Sequence, residues 1–79
     1  MKIIIFVDFA SSEFNKDFVI SNALTQEHTV LLVTSMEQLL AAKDSYDVVL
    51  IGNSINANTT EFVSIKNMSL QEITENILK

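Results

Sequence analysis

The chain has 79 residues, of which 48% are hydrophobic, and it carries ten acidic residues against five lysines, for a net charge of −5. This length predicts a single α/β domain over residues 1–79, and the hydrophobic content excludes a disordered chain. The acidic balance argues against nucleic acid and anionic membranes as partners, because binding phosphates requires clustered cations. The absence of cysteine excludes disulfides and thiolate metal sites and fits a cytoplasmic protein.

The first half of the chain alternates apolar runs with helical segments. The runs Ile3–Val7 and Val30–Val33 do not alternate apolar with polar residues, so each strand should be covered on both faces. Ser35 and Gln38 have the spacing of a capping box, which marks the start of a helix. The predicted elements are a strand at residues 2–9, a helix at 12–26, a strand at 28–34 and a helix from 35 to about 44.

The second half of the chain predicts two more strands and a last helix. Gly52 stops the third strand, and Ser69 with Glu72 forms a second capping box. The loop between the third and fourth strands is either a turn or a shortened crossover. The predicted elements are a strand at residues 46–51, a polar loop at 53–60, a weaker edge strand at 62–66 and a helix from 69.

This order of elements predicts an α/β three-layer sandwich with a four-stranded, mostly parallel sheet. Right-handed crossovers place the strands in the order 2-1-3-4. Ligands of such sheets bind beyond the carboxyl ends of the strands, where the order reverses. The candidate ligand-binding residues delivered to this end are Asp8, Ser11, Ser12, Asn15, Asn53 and Ser54.

These candidates allow two interpretations. Small hydroxyl and amide side chains beside a helix N-terminus can bind an anion. The same residue types also cap helices and close turns, and the loop after the first strand lacks a glycine that could curl around a phosphate.

The sequence contains no combination of residues that is typical of a catalytic site. The single histidine, His28, opens the second strand at the opposite end of the sheet, and Ser11 and Ser12 have no partner base. No second carboxylate accompanies Asp8 at the end of the third strand. We therefore expect no catalytic residue and no metal site.

Two segments resemble flavodoxin-like proteins. Residues 7–15 resemble the strand and phosphate-binding loop of that superfold, and residues 46–54 resemble its third strand. The resemblance implies a flavodoxin-like fold in which Ser11, Ser12 and Asn15 hold the phosphate of FMN. It also implies that Asn53 and Ser54 flank the flavin.

Two further families resemble the chain in scaffold only. The phosphotransferase IIB family for lactose and cellobiose is similar in size and in its first and third strands, but its phosphorylated cysteine falls at Asp8. In response-regulator receivers the acceptor aspartate falls at Gly52. The reactive group of each family is thus replaced.

Two functions follow as hypotheses. The first is a small acidic, non-enzymatic interaction module that binds a protein partner as a regulator or inhibitor, or that self-associates through the edge strand at residues 62–66 into a dimer. The alternative is a degenerate flavodoxin-like protein that binds FMN or a small phosphorylated ligand at the carboxyl ends of the first and third strands. The first hypothesis requires no cofactor.

Overall fold

The chain contains a four-stranded parallel sheet. A computed structural model describes residues 1–56 and 61–78. The strands lie in the order β2-β1-β3-β4, and all three neighbouring pairs are parallel. The α/β class and the strand order 2-1-3-4 are therefore confirmed, and a hairpin between β3 and β4 is excluded. The strands are β1 (Lys2–Phe6), β2 (Thr29–Val33), β3 (Val48–Ile51) and β4 (Val63–Ser64).

Helices cover both faces of this sheet and complete the three layers of a flavodoxin-like sandwich. The helices are α1 (Phe14–Leu24), α2 (Met36–Ala42) and α3 (Leu70–Asn76), and a 3₁₀ turn, Lys43–Ser45, follows α2. Within residues 1–56 and 61–78, none of the helices has the length and apolar character needed to cross a membrane.

The side chains of β1 explain why its sequence does not alternate apolar with polar residues. Ile3 and Ile5 point to one face and join a core with Ile20 of α1 and Ile73 of α3. Ile4 points to the other face and packs in a second core with Leu39 of α2. Because both faces are covered, every residue of the run must be apolar.

The elements are shorter than predicted, and local hydrogen bonds give the reason. Helix α1 begins at Phe14 rather than residue 12 because Ser11 N donates to Asp8 O and Phe14 N donates to Ser11 O, which makes consecutive turns. Strand β4 ends at Ser64, and the chain then turns, with Met68 N donating to Ile65 O and Asn67 at a left-handed φ of 63°. Residues 57–60 of the predicted polar loop lie outside the described residues.

Helix caps account for the starts of α2 and α3. The capping box of α3 is complete, with Glu72 N donating to Ser69 Oγ at 3.1 Å and Ser69 N donating to Glu72 Oε1 at 3.2 Å. At α2, Gln38 N donates to Ser35 Oγ, but Gln38 Oε1 accepts from Thr34 N instead of from the cap residue. The capping box predicted at Ser35 and Gln38 therefore forms only in part.

Replacement of Ser69 by alanine removes the side-chain half of the capping box. We expect Ser69→Ala to lower the free energy of unfolding by about 1 kcal/mol, because the amide of Glu72 loses its acceptor. Urea unfolding followed by circular dichroism measures this change. Thr74→Ala, at an exposed position inside α3, is the control and should leave stability equal or slightly higher, because alanine is the better helix former. Equal losses for both variants would contradict the capping role.

Candidate functional site

The carboxyl ends of β1 and β3 meet because these two strands pair in parallel, with Phe6 opposite Ile51. The loops that follow them are therefore neighbours, as the sequence predicts. Asn53 and Ser54 are both buried, with 7% of their surface exposed, whereas Asp8 lies on the surface.

A buried carboxylate from α1 occupies this end of the sheet. Asp17 is fully buried, and its two oxygens accept four hydrogen bonds from the loop after β3. Oδ1 accepts from Asn53 N at 2.6 Å and from Asn53 Nδ2 at 3.1 Å. Oδ2 accepts from Ser54 N at 2.8 Å and from Ser54 Oγ at 2.6 Å. The donors that could receive an external anion here thus already bind an internal one.

The hydrogen-bond network extends from Asp17 to two further loops. Ser54 Oγ accepts from Asp8 N at 2.8 Å, in the loop after β1. Asn53 Oδ1 accepts from Asn67 N at 2.9 Å, in the loop after β4. The side chains of Asn53 and Ser54 therefore connect the Asp17 carboxylate to the loops that follow β1, β3 and β4.

The position of Asp17 on α1 explains why it is buried. Asp17, Ile20, Ser21 and Leu24 follow the i, i+3, i+4, i+7 spacing of the helix face that packs on the sheet, and all four are buried. Desolvation of a carboxylate is costly unless hydrogen bonds compensate for it. Four donors, two of them backbone amides, provide this compensation.

Gly52 lies directly beneath this carboxylate. A Cβ atom at Gly52 would stand 2.6 Å from Asp17 Oδ2 and 2.7 Å from its Cγ, well inside van der Waals contact. The backbone of Gly52 does not have a positive φ. The only glycine of the chain is therefore needed for close approach rather than for its conformational freedom.

The other predicted site residues belong to the loop after β1 and the start of α1. Asp8 Oδ1 accepts from Ala10 N at 2.9 Å, and Ser11 Oγ accepts from Glu13 N at 3.1 Å, so both close local turns. Ser12 and Asn15 are exposed. The structure thus brings Asp8, Asn53 and Ser54 into one network and leaves Ser11, Ser12 and Asn15 outside its described hydrogen bonds.

Two of the amides in the first turn of α1 have partners within the protein. Phe14 N donates to Ser11 O and Lys16 N donates to Glu13 O. The only cation in the first turn, Lys16, forms a 2.8 Å ion pair with Glu13 Oε2. These contacts leave little positive potential for an anionic ligand at this helix end.

Metal ligands are not assembled in the described part of the chain. Within residues 1–56 and 61–78, no three acidic or histidine side chains come together in a group that could hold a metal ion. His28 precedes β2, at the amino end of the sheet, and its Nδ1 is buried with no hydrogen-bond partner among these residues.

An open groove of about 670 Å³ runs between α1 and the start of α3. Its walls include the apolar side chains of Val19 and Leu70, which are 66% and 40% exposed. Asn53 and Asn67 of the Asp17 network also line it. The remaining lining residues are Asn15, Lys16, Ile20, Met68, Ser69 and Glu72.

Sequence reasoning missed two features of this site: Asp17, and Gly52 as its close neighbour. For Asp17 a signal exists, because it is the one charged residue on the face of α1 that also carries Ile20 and Leu24. The chain matches no protein-family model, and neither a curated protein nor a solved structure is significantly similar to it.

Replacement of Asp17 by asparagine tests the internal anion. The amide keeps the shape but turns one acceptor oxygen into a donor, which faces donors of Asn53 or Ser54. We expect Asp17→Asn to lower the free energy of unfolding by about 3 kcal/mol, measured by urea unfolding. Asp44→Asn removes the same charge from a side chain that is 91% exposed and should change stability by less than about 0.5 kcal/mol. A similar small effect for both variants would contradict the anchoring role.

Replacement of Gly52 by alanine tests the close approach. The added methyl group overlaps the Asp17 carboxylate, so the side chain must withdraw and lose hydrogen bonds. We expect Gly52→Ala to cost about 2 kcal/mol or more in thermal or urea unfolding. In an Asp17→Ala background the overlap is absent, so the same substitution should cost much less. Equal costs in both backgrounds would show that the contact is not responsible.

Proposed function

We propose that this protein is a small, acidic, non-enzymatic interaction module that binds an amphipathic basic segment of a protein partner in the groove between α1 and α3. The observation that carries the proposal is the contrast between two neighbouring surfaces. At the carboxyl ends of β1 and β3, the donors of Asn53 and Ser54 are bound to Asp17. Beside them, the groove is open and largely apolar.

The shape and composition of the groove favour a helical or extended peptide segment. Val19 and Leu70 expose aliphatic surface on opposite walls, and Met68 lies between the polar residues of the rim. Grooves of this kind accept apolar side chains that recur along one face of a partner helix. The partner segment should therefore present two or three such side chains in a row.

Charge favours a basic partner. Lys16 on one wall is neutralised by its pair with Glu13, while Glu72 on the other wall remains an exposed carboxylate. The chain as a whole has a net charge of −5. Lysine or arginine residues that flank the apolar side chains would meet this field and accelerate association. Regulation or inhibition of a basic protein in the cytoplasm is the role that fits these properties.

A pair of model peptides tests the proposal. An amphipathic leucine–lysine helix should bind with higher affinity than a leucine–glutamate helix of equal length, as measured by fluorescence anisotropy. In Val19→Ser/Leu70→Ser the groove loses two apolar contacts, and we expect about tenfold weaker binding of the basic peptide. Met36→Ser/Leu40→Ser is the matched control, since these α2 side chains are 50% and 49% exposed on the other face of the sheet, and it should bind almost as well as the wild type.

Other outcomes would overturn the proposal. Equal binding of both peptides, or equal losses in both double variants, would show that the groove is not the binding surface. Binding of FMN, detected as quenching of flavin fluorescence that is lost in Ser11→Ala/Asn15→Ala, would support the flavodoxin-like alternative instead. We expect no such quenching, because the donors at the strand ends already bind Asp17.

A further inference from the structure

The two edges of the sheet differ in how they are protected. Strand β4 has only two residues and lies between Glu61 and Lys66, so it offers a short edge next to charges. Strand β2 has five residues, Thr29–Val33, with no charge and no proline. A short strand is a usual means of protecting an edge, and the five residues of β2 do not provide it.

The register of the sheet identifies the exposed backbone groups of β2. Thr29 N donates to Met1 O, and Val33 O accepts from Val7 N, so these two residues face β1. Because a strand alternates, Leu31 also faces β1, while Val30 and Leu32 direct their N–H and C=O groups away from the sheet. Within residues 1–56 and 61–78, these outward groups have no partner.

The next outward amide on either side is already occupied. His28 N donates to Leu24 O at the end of α1, and Thr34 N donates to Gln38 Oε1 at the start of α2. The available edge is thus limited to Val30 and Leu32. We propose that a second copy of this chain occupies it, with the two β2 strands antiparallel and related by a twofold axis at Leu31.

This register is the one that uses all the available groups. With Leu31 opposite its symmetry mate, Val30 of each copy lies opposite Leu32 of the other, and each pair exchanges two N–H···O bonds, four in total. If the twofold axis lay one residue earlier or later, Val30 or Leu32 would lie opposite the same residue of the other copy. The other residue would then lie against the occupied amide of His28 or Thr34.

The side chains around β2 also favour a second copy. Val30, Leu31 and Leu32 are only half-buried within one chain, so they would gain burial against the same residues of the partner. Phe14 and Phe18 lie on the flank of α1 opposite the groove, on the side of β2, with ring centroids 6.0 Å apart. Phe18 is 47% exposed.

The buried area explains why both features are required. A stable interface buries roughly 1,200 Å² or more in total, and one pair of five-residue strands supplies only part of this. The half-exposed aromatic ring of each copy extends the contact beyond the strands. A dimer also increases burial in a domain whose 79 residues form a small core.

Cysteine substitution tests the register directly, because the chain has no cysteine of its own. Leu31→Cys should form an intermolecular disulfide on mild oxidation, because the twofold axis brings the two Cβ atoms together. Thr29→Cys on the same strand should not, because its symmetry mate lies at the far end of the paired segment. Efficient cross-linking of Thr29→Cys but not Leu31→Cys would overturn the register.

Sedimentation equilibrium tests the dimer itself. The wild type should show a concentration-dependent dimer, and Leu31→Lys, which places two like charges at the axis, should raise the dissociation constant by about tenfold or more. Val63→Lys, on the β4 edge, is the control and should leave it unchanged. A wild type that stays monomeric at all soluble concentrations would overturn the proposal. A dimer disrupted by Val63→Lys but not by Leu31→Lys would do the same.

Discussion

The Asp17 carboxylate is the interaction on which the arrangement of this domain depends. It belongs to α1, yet all four of its hydrogen bonds come from residues 36 and 37 positions later in the chain. Through Ser54 and Asn53 it also determines the positions of Asp8 and Asn67. A small sheet of four short strands thus has its loops joined at a point where they would otherwise have few contacts. Because Asp17 is fully buried, its carboxylate requires these four donors, and without them it could not remain in the protein interior.

This internal anion also changes what the scaffold can bind. In open parallel sheets the carboxyl ends of the strands offer backbone and side-chain donors to a ligand. Here Asn53 and Ser54 direct these donors inward to Asp17, and Gly52 allows the carboxylate to approach the backbone closely. The end of the sheet at which a ligand is expected is therefore part of the core. Recognition by this protein should depend on its flanks rather than on this end.

The fold could be predicted from sequence because its main signals are local or periodic. Apolar runs without alternation indicate a covered parallel sheet, and the capping box of Ser69 and Glu72 marks the start of α3 correctly. The site could be predicted only in part, because its central contact joins two distant positions. An aspartate in the first turn of a helix is commonly exposed and interacts with the helix dipole. The residue type of Asp17 therefore does not indicate that it is buried. Only its place on the buried face of α1, in line with Ile20 and Leu24, distinguishes it.

Helix α1 separates the two surfaces that we assign to binding. Lys16, Val19 and Ile20 face the groove toward α3, whereas Phe14 and Phe18 face the side of β2. The proposed partner binding in the groove and the proposed pairing along β2 would therefore not compete. A twofold axis perpendicular to the sheet would keep α1 and α3 of both copies on the same face of the joined sheet. Both grooves of the dimer would then open on that face. Two modest sites on one rigid sheet bind a partner with repeated basic segments far more tightly than one site does, because the second contact is intramolecular. A domain of this size would thus gain useful affinity from its edge strand.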